Sequence, residues 1–389
     1  MSLFDPLLKD EATRLDAFPV SRRKIFMAHA GVTALPRVVA DAMIAYSREA
    51  SENFGDFATV LRQIERARET SARFIGASPD EIALLGPTSL GLSLFANGLP
   101  WKAGDEILCY SEDYPANVYP WIDLRRLGVE VRYLAPEAPG AITPELVEAS
   151  LSPRTRLVAL ASSHFLTGYR LNVDAIGKLL RRKGVLFSLD AIQTLGAFPL
   201  SVKHVDFLSA DAHKWMLGPM AIGIVYVRKE HFPLLRPTLL GAWNVESPNF
   251  IAQDAIHLPD TARRYEPGVL NMVGIHGMQA ALDLLEQYGM EAIAGRLLEL
   301  KKALVSGLRE LDCEIDGPAE GPSASSITTF THPTTSMGHL FRACEAANIV
   351  VSLRHSRDGR EFIRVSPHFY NTHAEIARLL ETLRIALQA

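Results

Sequence analysis

From about Glu81 onward, short apolar or β-branched runs alternate with amphipathic stretches. EIALLG precedes SLGLSLFANGL, DEILCYS precedes ANVYPWIDLRRLG, VEVRYLAP precedes TPELVEASL, and RLVALASS precedes VDAIGKLLRRKG. Such alternation predicts βαβ units and a mostly parallel sheet covered on both faces, so the fold class expected is α/β. Between Val185 and Arg228 come three further apolar strands. The first ends in Asp190, and the triplet His213-Lys214-Trp215 precedes a Gly-Pro turn and the third. After Asn271 the period becomes helical through GIHGMQAALDLLEQYG and EAIAGRLLELKKALVSGLREL, with Gly289 marking a break. DGPAEGPSAS then reads as a connector, and SSITTFTH, GHLFRACEAANI, VVSLRH, EFIRVS and THAEIARLLETLRIAL predict a smaller α+β unit. The expected organisation is an N-terminal arm over 1–20, a large domain over 21–272, and a connecting helix with a small C-terminal domain over 273–389.

Composition narrows the function classes. A chain of 389 residues with 48% hydrophobic content can fill one large core and a smaller one. Its formal net charge of −4 is spread over well-mixed charges, so no basic stripe invites nucleic acid. The N-terminal MSLFDPLLKDEATRLDAF carries acids among its apolar residues, and no run approaches the length of a membrane span. A cytoplasmic protein with no membrane partner is expected. Cys109, Cys313 and Cys344 are widely spaced without a CxxC, which argues against disulfides or structural zinc and predicts buried or partly buried thiols. His368 and His373 lack convergent ligands, so no metal is expected.

Lys214 carries the chemistry. A lysine beside a tryptophan, at a strand end within an apolar segment, is desolvated, and desolvation favours the free amine that Schiff-base formation requires. Asp190 ends a neighbouring strand and supplies an acid. Pyridoxal-phosphate enzymes need this pair: a lysine for the aldehyde and an acid to keep the pyridine nitrogen protonated.

The segment resembles the class V branch of the fold-type-I pyridoxal-phosphate enzymes, with its strand, D-x-x-Q, second strand and H-K-x-x-x-G-P. The resemblance runs from AHAGVTALP near residue 28 to FIRVSPHFYNT near residue 362. It implies a fold-type-I transferase architecture, pyridoxal 5′-phosphate as cofactor, an amino-acid substrate, and a homodimer with active sites at the subunit interface. It assigns Thr88 and Ser89 of the GPTS turn to the phosphate, at a helix start whose amides suit an anion. Tyr114 becomes the residue stacked on the ring, by the match of Ala116, Asn117, Pro120 and Trp121 to A-N-x-x-P-W. Asp190 falls to the pyridinium nitrogen, Gln193 to the phenolic oxygen, His213 and Lys214 to the cofactor pocket, and Arg364 to the substrate carboxylate, which a guanidinium grips through two parallel hydrogen bonds.

Several positions depart from the pattern or leave alternatives. Asp211 stands where many relatives have Ser or Thr, putting negative charge near a dianion; it points elsewhere, for instance toward His213, or the phosphate is held chiefly by Thr88, Ser89 and amides. Ser209 is a further hydroxyl on that strand. Val269 replaces a Thr after Arg264-Tyr265-Glu266-Pro267-Gly268, a segment that in dimers of the family reaches the partner's site. Asn271 is retained from the pattern, His164 sits where relatives place a polar group near the ring oxygen, and His29 lies in a segment that commonly borders the substrate entrance.

The expected activity is that of a class V aminotransferase-type enzyme working on an amino acid through a Lys214 Schiff base. A selenocysteine-lyase-like β-lyase or an isopenicillin-N-epimerase-like enzyme is the alternative, because fold and cofactor do not fix the outcome. Cysteine desulfurases of this group need a nucleophilic cysteine on a loop before the carboxylate-binding arginine, and the segment from Val350 to Ile363 has none. A catalytically idle scaffold would have lost Lys214 or Asp190, and both are present.

Overall fold

The computed structural model describes residues 3–53 and 56–388; the first two residues of the expected N-terminal arm lie outside them. In chain order the strands are β1 (Ile25–Phe26), β2 (Ile82–Leu84), β3 (Glu106–Cys109), β4 (Glu130–Tyr133), β5 (Thr155–Ala161), β6 (Leu186–Asp190), β7 (Phe207–Asp211), β8 (Gly223–Val227), β9 (Glu314–Asp316), β10 (Thr328–Thr331), β11 (Ile349–Val350), β12 (Ser352–His355) and β13 (Glu361–Val365).

A seven-stranded sheet has the order β2-β8-β7-β6-β5-β3-β4. Strands β7, β6, β5, β3 and β4 run parallel, whereas β8 is antiparallel to both β7 and β2. Both faces are covered, which is why the central strands are apolar without alternation. On β5, Val158 and Leu160 pack into one core with Ile64, Ile176 and Met278 of the helices Phe57–Ile75, Val173–Lys183 and Met272–Tyr288. Leu157 and Ala159 face the other core, with Leu92 and Phe95 of the helix Thr88–Gly98 and with Trp121. Strand β4 closes the edge with Glu130 and Arg132 in its backbone run, charges that discourage further pairing. Local signals set the connections: Asn172 caps Val173–Lys183 by accepting the Ala175 amide at 3.0 Å, Gly184 ends it in the left-handed region, and Arg181, Arg182 and Lys183 occupy its last turn.

A second, antiparallel sheet has the order β12-β13-β10-β9. Phe330, Ile363 and Val365 on one face bury Leu300, Leu304 and Leu308 of Met290–Arg309 and Leu379 and Leu383 of His373–Gln388. The break expected at Gly289 separates two helices there. Near the N-terminus, β1 pairs in parallel with β11, and Ala28 bridges Ser366. Among the described residues, no helix is long and apolar enough to cross a membrane.

The Arg264–Gly268 segment is anchored within its own chain. Arg264 donates to the Pro259 and Phe232 carbonyls at 2.8 and 2.9 Å. Glu266 is fully buried and takes both terminal nitrogens of Arg68, at 2.7 and 2.6 Å, together with the Leu84 amide at 2.7 Å. Only Val269, 92% exposed, projects from the turn. A bidentate buried pair of this kind is costly to break from one side, since the survivor keeps an uncompensated charge. Glu266→Gln is expected to destabilise the fold by about 3 kcal/mol, whereas Glu381→Gln, in an exposed pair with Arg384, costs about 0.5 kcal/mol or less. Denaturant midpoints of the two variants check this contrast.

Candidate active site

Strands β2 and β7 are both antiparallel to β8, so the carboxyl ends of β2, β3, β6 and β7 emerge at one edge of the large sheet. A crevice at this edge is where open α/β sheets bind ligands. β2 leads through Gly86 and Pro87 into the helix Thr88–Gly98, β3 leads to Tyr114, β6 ends in Asp190, and β7 ends in Asp211 just before His213 and Lys214. The helix can approach β7 because residue 91 is glycine; a Cβ there would lie 2.4 Å from Ser209 Oγ. This contact sets the role of Ser209, whose hydroxyl donates to the Thr88 carbonyl at 2.9 Å and so ties helix to strand. Thr88 Oγ1 accepts the Asp211 amide at 2.9 Å, which leaves its own hydroxyl hydrogen available to a ligand. Ser89, half-buried, follows it in the first turn.

Lys214 is 7% exposed and, among the described residues, makes no ion pair. Burial lowers its pKa to about 8; Asp190 pulls it up, and Arg364 and Arg354 push it further down. Its Nζ stands 5.2 Å from the centre of the Tyr114 ring, which is half exposed and presents a face to the amine. Asp190 is buried, and desolvation raises its carboxyl to about 6 against the pull of the Ile192 amide, 3.1 Å from Oδ1, and of Lys214.

Arg364 reaches the same space from β13. Its Nη1 donates to the Phe165 carbonyl at 2.6 Å, and the Phe165 ring lies 5.5 Å from that of Tyr114. The guanidinium is 1% exposed, yet Nε and Nη2 have no hydrogen-bond partner. Buried donors are seldom left unpaired. The free Nε–H and Nη2–H form the side of the fork that matches two carboxylate oxygens.

Other predicted residues prove to hold the frame. Gln193 is buried with its amide largely engaged: Nε2 donates to the Ala30 carbonyl at 3.1 Å, and Oε1 accepts Trp215 Nε1 at 2.9 Å. It therefore fixes the ring of Trp215, next to the lysine, and keeps its second Nε2 hydrogen for the expected partner, the cofactor's phenolic oxygen. His29 does not border an open entrance; it is fully buried, with Nδ1 donating to the Ser366 carbonyl and Nε2 3.0 Å from the Tyr370 hydroxyl. His164 is spoken for at both nitrogens, Nε2 by the Glu112 carbonyl at 3.0 Å and Nδ1 by Thr167 Oγ1 at 2.9 Å, and burial lowers its pKa to about 4. Asn271 caps Met272–Tyr288 through the Gly274 amide. Asp211 points toward His213, with Oδ1 2.9 Å from Nδ1, although the atoms are not aligned as a hydrogen bond. Gly196, at φ +95°, lies under the Trp215 carbonyl, where a Cβ would be only 2.3 Å away.

Two residues escaped the sequence reading. Asp113, just before Tyr114, is buried beside Asp190; desolvation and then the Asp190 charge raise it to about 7, while it accepts Asn117 Nδ2 at 3.1 Å and the Ala161 amide at 3.0 Å. Arg354, on β12, shares a sheet face with Arg364: it pairs with Phe362, two positions from Arg364. The sequence signal was a second arginine at an even strand offset, legible only once the β12–β13 register is known.

The donor set fits pyridoxal phosphate. An unpaired buried amine, a buried carboxyl at the next strand end, an aromatic face beside them, and a free hydroxyl hydrogen at a helix start match its aldehyde, ring nitrogen, ring face and phosphate. Comparisons with known proteins agree. The sequence model of the family described as Aminotransferase class-V matches residues 25–379. A probable cysteine desulfurase of Methanothermobacter thermautotrophicus is 28% identical, covering 97% of this chain and 98% of its own. The uncharacterized aminotransferase YcbU of Bacillus subtilis is 27% identical over 94% and 95%. Among solved structures, the apo cysteine desulfurase of Thermococcus onnurineus NA1 superposes with a TM-score of 0.90 at 25% identity, covering 100% of this chain and 99% of that one. From the strand-end lysine, the acid beside it and a family match spanning nearly the whole chain, it follows that this protein belongs to the class V aminotransferase family of pyridoxal-phosphate enzymes.

Proposed function

We propose that this enzyme binds an α-amino acid with its carboxylate on Arg364, removes the α-proton with Lys214, and carries the reaction through to amino transfer. The observation that carries the reading is the buried, unpaired Nε and Nη2 edge of Arg364 facing the space that Lys214 and Tyr114 line. When bound, pyridoxal phosphate supplies a ring that accepts electron density from the α-carbon. Lys214 provides the nucleophile for its aldehyde and, once free, the base; a pKa of about 8 keeps a useful fraction neutral at physiological pH. Asp190 would hold the ring nitrogen, Tyr114 would lie against the ring, and Thr88 with Ser89 and the helix amides would hold the phosphate. Arg364 orients the substrate by two parallel bonds and so sets which C–H bond meets Lys214.

The cysteines weigh against sulfur relay despite the names of several relatives. Cys109, Cys313 and Cys344 are buried, and desolvation raises their thiols to about 12, 12 and 11, away from the thiolate a persulfide carrier needs. The exposed loop at 356–360, leading into β13, contains no cysteine. A β-elimination that needs no cysteine is the second reading, favoured by the relatives described as cysteine desulfurases. A homodimer completes the proposal; what supports it is the exposure of Leu239, Leu240, Phe250 and Ile251.

Proton NMR in deuterium oxide tests the reading. Wild-type enzyme loaded with pyridoxal phosphate is expected to wash out the α-proton of at least one amino acid in a panel, and Lys214→Ala to lose that exchange by a factor of about 10³ or more. No exchange with any amino acid sinks the proposal. Products separate the outcomes: a keto acid formed in step with amination of an added keto acid identifies transfer, while cysteine converted to sulfide, pyruvate and ammonia identifies elimination. The amine itself has a pH signature. Since its pKa is lowered to about 8, its neutral form grows as pH rises through that value, so reductive methylation of Lys214 in the cofactor-free protein, followed by peptide mass spectrometry, should be half-maximal near pH 8, well below the surface lysines.

A further inference from the structure

We infer that Arg354 forms a second anion site beside Arg364, and that the enzyme selects amino acids whose side chain ends in a carboxylate. The inference rests on the proposed function in taking Arg364 as the holder of the α-carboxylate. In the β12–β13 register Ser352 faces Arg364 and Arg354 faces Phe362, so both arginines project from one face while Leu353, Ile363 and Val365 fill the core behind. Both guanidinium groups converge on the N-terminal segment at Gly31: a Cβ there would lie 3.6 Å from Arg354 Nη2 and 3.8 Å from Arg364 Nη2. Glycine at this position leaves room between the two heads.

One carboxylate cannot satisfy both. Arg364 has Nη1 committed to Phe165, and its remaining Nε and Nη2 edge accommodates both oxygens of a single carboxylate. Arg354 then keeps its own deficit: Nε is buried and unpaired, and among the described residues the side chain makes no hydrogen bond or ion pair. Two nearby guanidinium groups repel each other, and the site keeps them close without a protein carboxylate between them. The carboxyls near Lys214 are Asp190, at the cofactor end, and Asp211, turned toward His213. A substrate bringing one negative group to each arginine relieves both the unpaired donors and the repulsion. The α-carboxylate supplies one, and a distal side-chain carboxylate supplies the other. An amino acid with a neutral side chain leaves the half-buried Arg354 uncompensated and its buried Nε unpaired, and such a missing partner discriminates between substrates.

The test uses ligands that need no chemistry. Calorimetric titration of the pyridoxal-phosphate-loaded protein with glutarate and with butyrate compares two carboxylates with one. Wild type is expected to bind glutarate about tenfold or more tightly than butyrate, the effect of one additional charge-assisted contact. Arg354→Gln should erase that preference and leave butyrate affinity within twofold, with Arg354→Lys intermediate, and the cofactor absorbance and thermal midpoint should match wild type. Equal affinities in wild type, no detectable glutarate binding, or an equal loss of both ligands in Arg354→Gln would overturn the assignment, the last by showing that both arginines serve one carboxylate. The outcome is independent of α-proton exchange, so a failure here and a failure of the proposed activity are told apart.

Discussion

The pocket depends on cations kept out of water without a protein carboxylate paired to them among the described residues. Lys214 and Arg364 are both nearly inaccessible, and the Asp190 carboxyl near the amine is itself desolvated and reluctant to ionise. Such a site holds an electrostatic deficit that cofactor and substrate make good. The scaffold can sustain it because every surrounding element is anchored elsewhere: Glu266 ties Arg68 to β2, Ser209 ties the phosphate helix to β7, and Gln193 fixes Trp215. Rigid walls prevent the pocket from collapsing onto its own charges, which would relieve the deficit and remove the function.

The large sheet and the strand ends were readable from the chain because they are local. Uninterrupted apolar runs identify strands covered on both faces, and the acids that end β6 and β7 mark the edge where the site lies. Lys214, Asp190 and Arg364 follow from that reading together with the family resemblance. What stayed hidden is tertiary. His29 and His164 belong to the same patterns as ligand-binding residues, yet their ring nitrogens are directed to the Ser366 and Glu112 carbonyls, partners far away in sequence. Arg354 was invisible for a related reason: its meaning depends on which residue of β13 stands opposite.

The position of the helix Thr88–Gly98 shows how a small side chain reassigns a neighbouring one. Without a Cβ at Gly91 the helix settles against β7, Ser209 is consumed in holding it there, and the Asp211 amide is taken by Thr88. The hydroxyl hydrogen of β7 is thus spent on the Thr88 carbonyl, whereas that of Thr88 stays free at the helix start. Asp211 is tolerable on the strand because its carboxylate turns toward His213.

The pairing of β1 with β11, continued by the bridge from Ala28 to Ser366, joins segments far apart in sequence beside the candidate site. Gly31 and Ala30, which border the arginines and Gln193, follow closely on Ala28, whose bridging partner Ser366 is made more than three hundred residues later. For almost the whole of synthesis the N-terminal strand has no edge to join, and loop closure over more than three hundred residues must precede a finished pocket. A chain stalled before β13 therefore has the large sheet and its lysine without the arginine-bearing wall that completes the candidate site.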